Sequence, residues 1–169
     1  MTTARTATLV AATVSTGLLA GLFYAYSCPV MPAWKASSDR SMVEVMQNIN
    51  VSIQNGWFFL TFMGAPILIA VAALLQLGKG GDRRVLAWTI AGFVLVMAMI
   101  VITAAVNVPL NNDLEAAGLS DNAAVLAQAR EKFESTWVRW NIVRTVANIA
   151  GFGCVTWALA VYSRVKTGS

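Results

Sequence analysis

Trp137, Asn141, Arg144 and Asn148 follow one another at steps of four, three and four residues, and Trp140 stands three after Trp137. A helix places all five on one face. A guanidinium beside carboxamides binds carbonyl or phenolate oxygens, and indole rings offer flat apolar faces. Arg144 lies at least one turn inside an apolar run. A charge at mid-bilayer costs roughly 2.5–3.5 kcal/mol on insertion scales, so charged residues in spans usually face the bundle interior and have a partner or a task. Snorkelling to the interface is the competing reading, and the neighbouring asparagines favour an interior polar site.

Three other sets are rich in polar groups. Asn107, Asn111 and Asn112 surround Pro109. Asn107 and Asn111 share a face if the helix continues, whereas a helix stop with asparagine caps is equally consistent with the proline. Gln47, Asn48, Asn50, Gln54 and Asn55 precede a long apolar run. Gln47, Asn50 and Gln54 fall on one helical face, with Asn48 and Asn55 on another. Tyr24, Tyr26 and Ser27 form the last set, where tyrosines also serve as interface anchors.

Several chemistries are excluded. The chain has no histidine and only two cysteines, Cys28 and Cys154. They are far apart and read as buried free thiols. A metal centre or an iron–sulfur cluster is therefore not expected. No carboxylate lies inside an apolar run. Asp113, Glu115 and Glu44 are the nearest, which argues against a proton-relay transporter. The net charge of +4 is scattered at element ends, so no nucleic-acid footprint exists.

These residues must be positioned by membrane helices. The 169 residues are 57% apolar and 12% charged, against about 25% charged in a soluble domain. Apolar runs cover about 7–26, 57–77, 85–108 and 142–162. Each is long enough to cross a hydrocarbon core of roughly 30 Å as a helix. The first has no Ala-x-Ala cleavage site and reads as a true span. The fold class is therefore all-α, a four-helix transmembrane bundle in one domain.

Four spans put both termini on one face. The short link with Lys79, Arg83 and Arg84, and the tail with Arg164 and Lys166, favour a cytoplasmic location for that face. The cytoplasmic membrane of a bacterium is the expected site. Segments 29–55 and 110–140 share the other face as a helical cap. Residues 42–55 read as one helix entering the second span. Ser120 or Asp121 is expected to cap a long last helix from about Asn122. Its outer half carries an apolar stripe of Leu126, Ala129, Phe133, Trp137 and Trp140. The rows Gly17–Gly21–Ala25 and Ala147–Gly151 suit close helix packing. Association with a second copy stays open.

The strings FYAYSCPVMP at 23–32, MQNIN at 46–50 followed by Asn55, VNVPLNN at 106–112 and WVRWNIVRT at 137–145 carry a resemblance. Over nearly its whole length the chain resembles the anthrone oxygenase-like family of small four-helix membrane proteins. Ala33-Trp34 departs from the pattern, which has a glycine and an aliphatic residue there. The resemblance implies oxidation of an anthrone, or another aromatic polyketide-type substrate, by O₂ without metal, flavin or other cofactor. Arg144, Asn141 and Asn107 would then stabilise the developing oxyanion. Trp137, Trp140, Asn148, Asn111, Asn50, Asn55, Gln47 and Tyr24 would bind the small apolar substrate. The base stays open between Tyr24, an interfacial carboxylate and water. Two other readings stand beside it. One is a non-catalytic membrane module for a lipid, a quinone-like ligand or a partner protein. The other is a cofactor-free cyclase or isomerase.

Overall fold

The computed structural model describes residues 2–167, with side chains for 3–165, so the Lys166 side chain lies outside the described residues. Every regular element is helical. Helix α1 (Thr2–Ala25) passes through a π-helical turn (Tyr26–Val30) into α2 (Met31–Ala36). Then come α3 (Asp39–Ser52) and α4 (Gly56–Leu77). Helix α5 (Arg83–Ile102) passes through a second π turn (Thr103–Asn107) into α6 (Val108–Ala117). Helix α7 (Ala123–Thr167) closes the chain.

Four of these runs are long and apolar enough to cross a membrane. Their outward faces are aliphatic: Leu18, Leu60, Ile67, Leu74, Val94 and Val146 are all exposed. That is what lipid contact requires of a helix. Helix α1 packs on α4 and α7, and α5 packs on α4 and α7. The α5–α7 crossing is close because Gly92 faces Gly151. A Cβ on Gly92 would lie 2.6 Å from Val155 Cγ2 and 3.2 Å from the Gly151 carbonyl. Gly17 likewise meets the Phe152 ring. Gly21 and Ala25 face outward, so that expected row does not act as a packing seam.

The two ends of the bundle differ. At one end Arg5 is buried and donates to the carbonyls of Leu75, Gly78, Lys79 and Gly80 at 2.6–3.1 Å. It satisfies carbonyls left open by the end of α4 and places a cation at the negative end of that helix. Tyr162 packs there with Leu9, Ala72 and Val85, so both chain ends and the α4–α5 link lie together. At the other end, α2, α3, α6 and the first half of α7 form the cap. Its core joins Trp34, Met42, Met46, Leu114, Phe133 and Trp137. Arg130 ties the cap by donating to the carbonyls of Trp34, Lys35 and Ser37 and to Asp39 and Glu134.

Local expectations are corrected at four places. Residues 42–55 are not one helix: α3 ends at Ser52 and Asn55 starts α4, accepting from Phe58 N at 3.1 Å. Pro109 does not stop its helix, because the preceding π turn changes the hydrogen-bond register and the proline falls in the first turn of α6, where no amide is needed. Helix α7 is capped by Asn122, which accepts from Ala124 N, while Asp121 pairs with Arg40. Cys28 is exposed and Cys154 half-buried, since the first π turn directs Cys28 away from the bundle.

Candidate functional site

Arg144 is 5% exposed and lies where the bundle meets the cap. Its Nη2 donates to Asn141 Oδ1 at 2.8 Å and its Nη1 to Thr103 Oγ1 at 3.2 Å. Its guanidinium carbon stands 4.9 Å from the Phe23 ring centre and 5.4 Å from that of Trp137. No described carboxylate pairs with it. Its Nε has no partner among the described residues. Burying an ion costs several kcal/mol. Two cation–π contacts, each of about 2 kcal/mol when dry, offset part of this. They leave the charge itself in place.

The orientation of Asn141 is fixed by its neighbours. Its Oδ1 faces Arg144, so its Nδ2 faces Ser27 Oγ at 3.0 Å. Ser27 pairs with the Thr145 hydroxyl at 2.8 Å, and Thr145 reaches the Phe23 carbonyl and the Asn141 carbonyl. The two π turns make this possible. One supplies Ser27 from the α1–α2 run and the other Thr103 from the α5–α6 run. Turns of this kind re-aim side chains within a continuous helix and recur at functional sites.

A cavity of about 520 Å³ opens beside Arg144. Helix α7 lends it Trp137, Asn141 and Arg144, and α6 lends Asn111, Asn112 and Glu115. Helix α3 adds Met46, Ile49 and Asn50, and Gln54 comes from the α3–α4 link. Phe23, Phe58, Phe59 and Phe62 give the lining its aromatic faces. Phe58 and Phe62 are stacked at 5.0 Å. The shape and lining suit a flat, largely apolar molecule with a few oxygens.

The structure divides the residues expected from sequence between the cavity wall and its surroundings. Arg144, Asn141, Trp137, Asn111 and Asn50 line this one cavity. Asn107 does not line it. It is buried behind, with its Nδ2 donating to the Trp137 carbonyl and its Oδ1 unpartnered among the described residues. Asn148 is a turn deeper in the bundle and fully buried, and neither of its polar atoms has a described partner. Gln47 is committed to the Leu114 carbonyl at 2.9 Å, and Asn55 is the cap of α4. Trp140 is half-buried outside the lining. Tyr24 points outward, 56% exposed. Among the described residues no group of three or more Cys, Asp or Glu is placed to hold a metal.

Sequence reasoning missed Thr103, and it singled out Tyr24 in the place that Tyr26 occupies. Thr103 was detectable in principle, four residues before Asn107. Tyr26 was detectable too, since it stands four residues after Leu22 and three after Phe23, which line the same cavity.

A family model described as Anthrone oxygenase matches residues 57–154, more than half of the chain. The chain belongs to the anthrone oxygenase family. The part shared with the anthrone oxygenase family spans α4 to the middle of α7. It therefore contains Thr103, Asn107, Asn111, Trp137, Asn141 and Arg144. Tyr26, Ser27, Gln47 and Asn50 come from the segment before it. No curated protein and no solved structure gives a match.

Proposed function

We propose that this cavity binds an anthrone-like aromatic ketone and oxidises its ring methylene to a carbonyl with O₂, using no metal or flavin. The observation that carries the proposal is the buried Arg144 on the cavity wall, with which no carboxylate among the described residues pairs. Such a cation favours a ligand that is, or becomes, an anion.

The chemistry asks little of the protein. An anthrone is a carbon acid. Loss of one methylene proton moves an electron pair into the ring system and onto the ketone oxygen. The resulting oxyanion lies against Arg144, with Asn141 holding the guanidinium in place. Preorganised donors at such a developing charge are worth roughly 10²–10³ in rate each. The electron-rich carbon then bonds to O₂, the oxidant, and gives a peroxide at that carbon. Loss of the second carbon proton and cleavage of the O–O bond form the carbonyl. One oxygen atom enters the product and the other leaves as water. The phenylalanine wall and Trp137 sandwich the rings, and Asn50 and Asn111 contact oxygen atoms at their edges.

We place the protein in the cytoplasmic membrane, with both termini on the cytoplasmic side. Lys79, Arg83 and Arg84 on the short α4–α5 link support this, as expected from the positive-inside rule. Its partners are then the apolar substrate and membrane lipids.

Purified protein in detergent, supplied with anthrone under ¹⁸O₂, tests the reaction. The expected result is anthraquinone formed well above the uncatalysed rate, with one labelled oxygen in the product and one in water. Product formation equal to the protein-free control ends the proposal.

A further inference from the structure

We infer that Tyr26 is the proton-transfer residue of the cavity, a role that rests on the oxidation proposed above. Four observations converge on it. Tyr26 lines the cavity that also holds Arg144, whereas Tyr24, two residues earlier, faces outward. The Tyr26 hydroxyl makes no hydrogen bond to another described residue. By contrast Asn141, Thr103 and the Trp137 indole are already committed. The phenol ring packs against the Trp34–Trp137 pair, at 6.3 Å from each ring centre. Finally, Tyr26 and the Arg144 guanidinium both pack on the Trp137 indole, so the phenol and the cation belong to one cluster at the cavity wall.

The other acid lining the cavity is Glu115. It comes twelve residues after Thr103 along near-continuous helix, about 18 Å at 1.5 Å per residue. Arg144 is bonded to Thr103, so Glu115 stands at the distant, exposed mouth. The methylene lies across the central ring from the ketone oxygen, still within one ring of Arg144, and Tyr26, which packs with Arg144 around the Trp137 indole, is its nearer acceptor.

Atoms and electrons balance through the cycle. Tyr26 enters the cycle ionised, its hydroxyl proton passed to solvent beforehand, and the phenolate takes a methylene proton while the C–H electron pair moves to the substrate oxygen. O₂ adds at the carbon and is reduced to a peroxide anion, which takes the proton from Tyr26 to become a hydroperoxide. The phenolate then removes the second C–H proton, the O–O bond breaks, and the departing hydroxide collects that proton as water. Tyr26 ends as it began.

Tyr26→Phe keeps the ring and removes the oxygen. With anthrone and O₂ the expected result is a 10²–10⁴-fold fall in kcat and a KM within about threefold of the parent. Anthraquinone should still quench the tryptophan fluorescence of the variant. Tyr24→Phe should leave kcat unchanged. If Tyr26→Phe does not fold, fluorotyrosine placed at position 26 substitutes for it, and kcat should then vary with the acidity of the phenol. A kcat for Tyr26→Phe within threefold of the parent, or a kcat indifferent to fluorination, overturns the assignment while leaving the oxidation intact. A parent protein that does not convert anthrone overturns both.

Discussion

The indole Nε1 of Trp137 donates to Asn111 Oδ1 at 2.7 Å, joining α7 to α6 at the wall of the cavity. The same indole face receives the Arg144 guanidinium. Trp137 therefore couples the cap to the buried charge. Trp137→Phe removes the N–H together with part of a ring buried in the cap core, and stranding the Asn111 oxygen alone should cost about 1–3 kcal/mol. In a cycle with Asn111→Leu, we expect a coupling of about 1 kcal/mol in detergent denaturation. Strict additivity of the two changes would show that the bond contributes nothing.

The α5–α7 crossing makes a second prediction. Helix association in lipid depends on close backbone approach rather than on hydrophobic burial. A methyl on Gly92 would press on Val155 and on the Gly151 carbonyl. Gly92→Ala should destabilise the bundle by about 1–3 kcal/mol. Adding Val155→Ala should recover part of that loss. A Gly92→Ala protein that melts with the parent would mean the helices have room to spare.

Asn148 invites the opposite change. Its amide is fully buried, and neither polar atom has a described partner. An unpaired buried polar group costs about 1–3 kcal/mol. Asn148→Leu, close in volume, should raise the melting temperature and leave substrate turnover within about threefold. A lower melting temperature would mean that the Asn148 amide stabilises the bundle through a contact of its own.

The four spans were legible because lipid imposes one strong rule, long apolar helices. The inward face of α7 was legible too, since Arg144 and Asn141 are too polar to meet lipid and share a helical face. What eluded the sequence depends on small register changes. Each π turn inserts one extra residue and rotates the helix beyond it. Pro109 is thus absorbed without ending its run. Asn55 and Gln47 were chemically plausible ligand contacts. Backbone groups claim both, the amide of Phe58 and the carbonyl of Leu114, and only the fold reveals which polar atoms are already taken. Arg5 reads as a lone basic flank in one dimension. In three it gathers the carbonyls at the end of α4. Trp34 fills the cap core against Trp137 at 5.5 Å between ring centres.

If the Arg144 guanidinium holds a developing oxyanion, Arg144→Lys is the decisive substitution. A lysine keeps the positive charge but loses the planar fork that binds Thr103 and Asn141 and still offers Nε, and a point charge does not reproduce that geometry. The measurement is steady-state conversion of anthrone by parent and variant, with thermal unfolding recorded on the same samples. The expected variant unfolds within a few degrees of the parent and has lost about 10²–10³-fold in kcat. Full activity in the lysine variant, or loss of folding in step with loss of activity, would contradict the oxyanion role and leave Arg144 as part of a structural network.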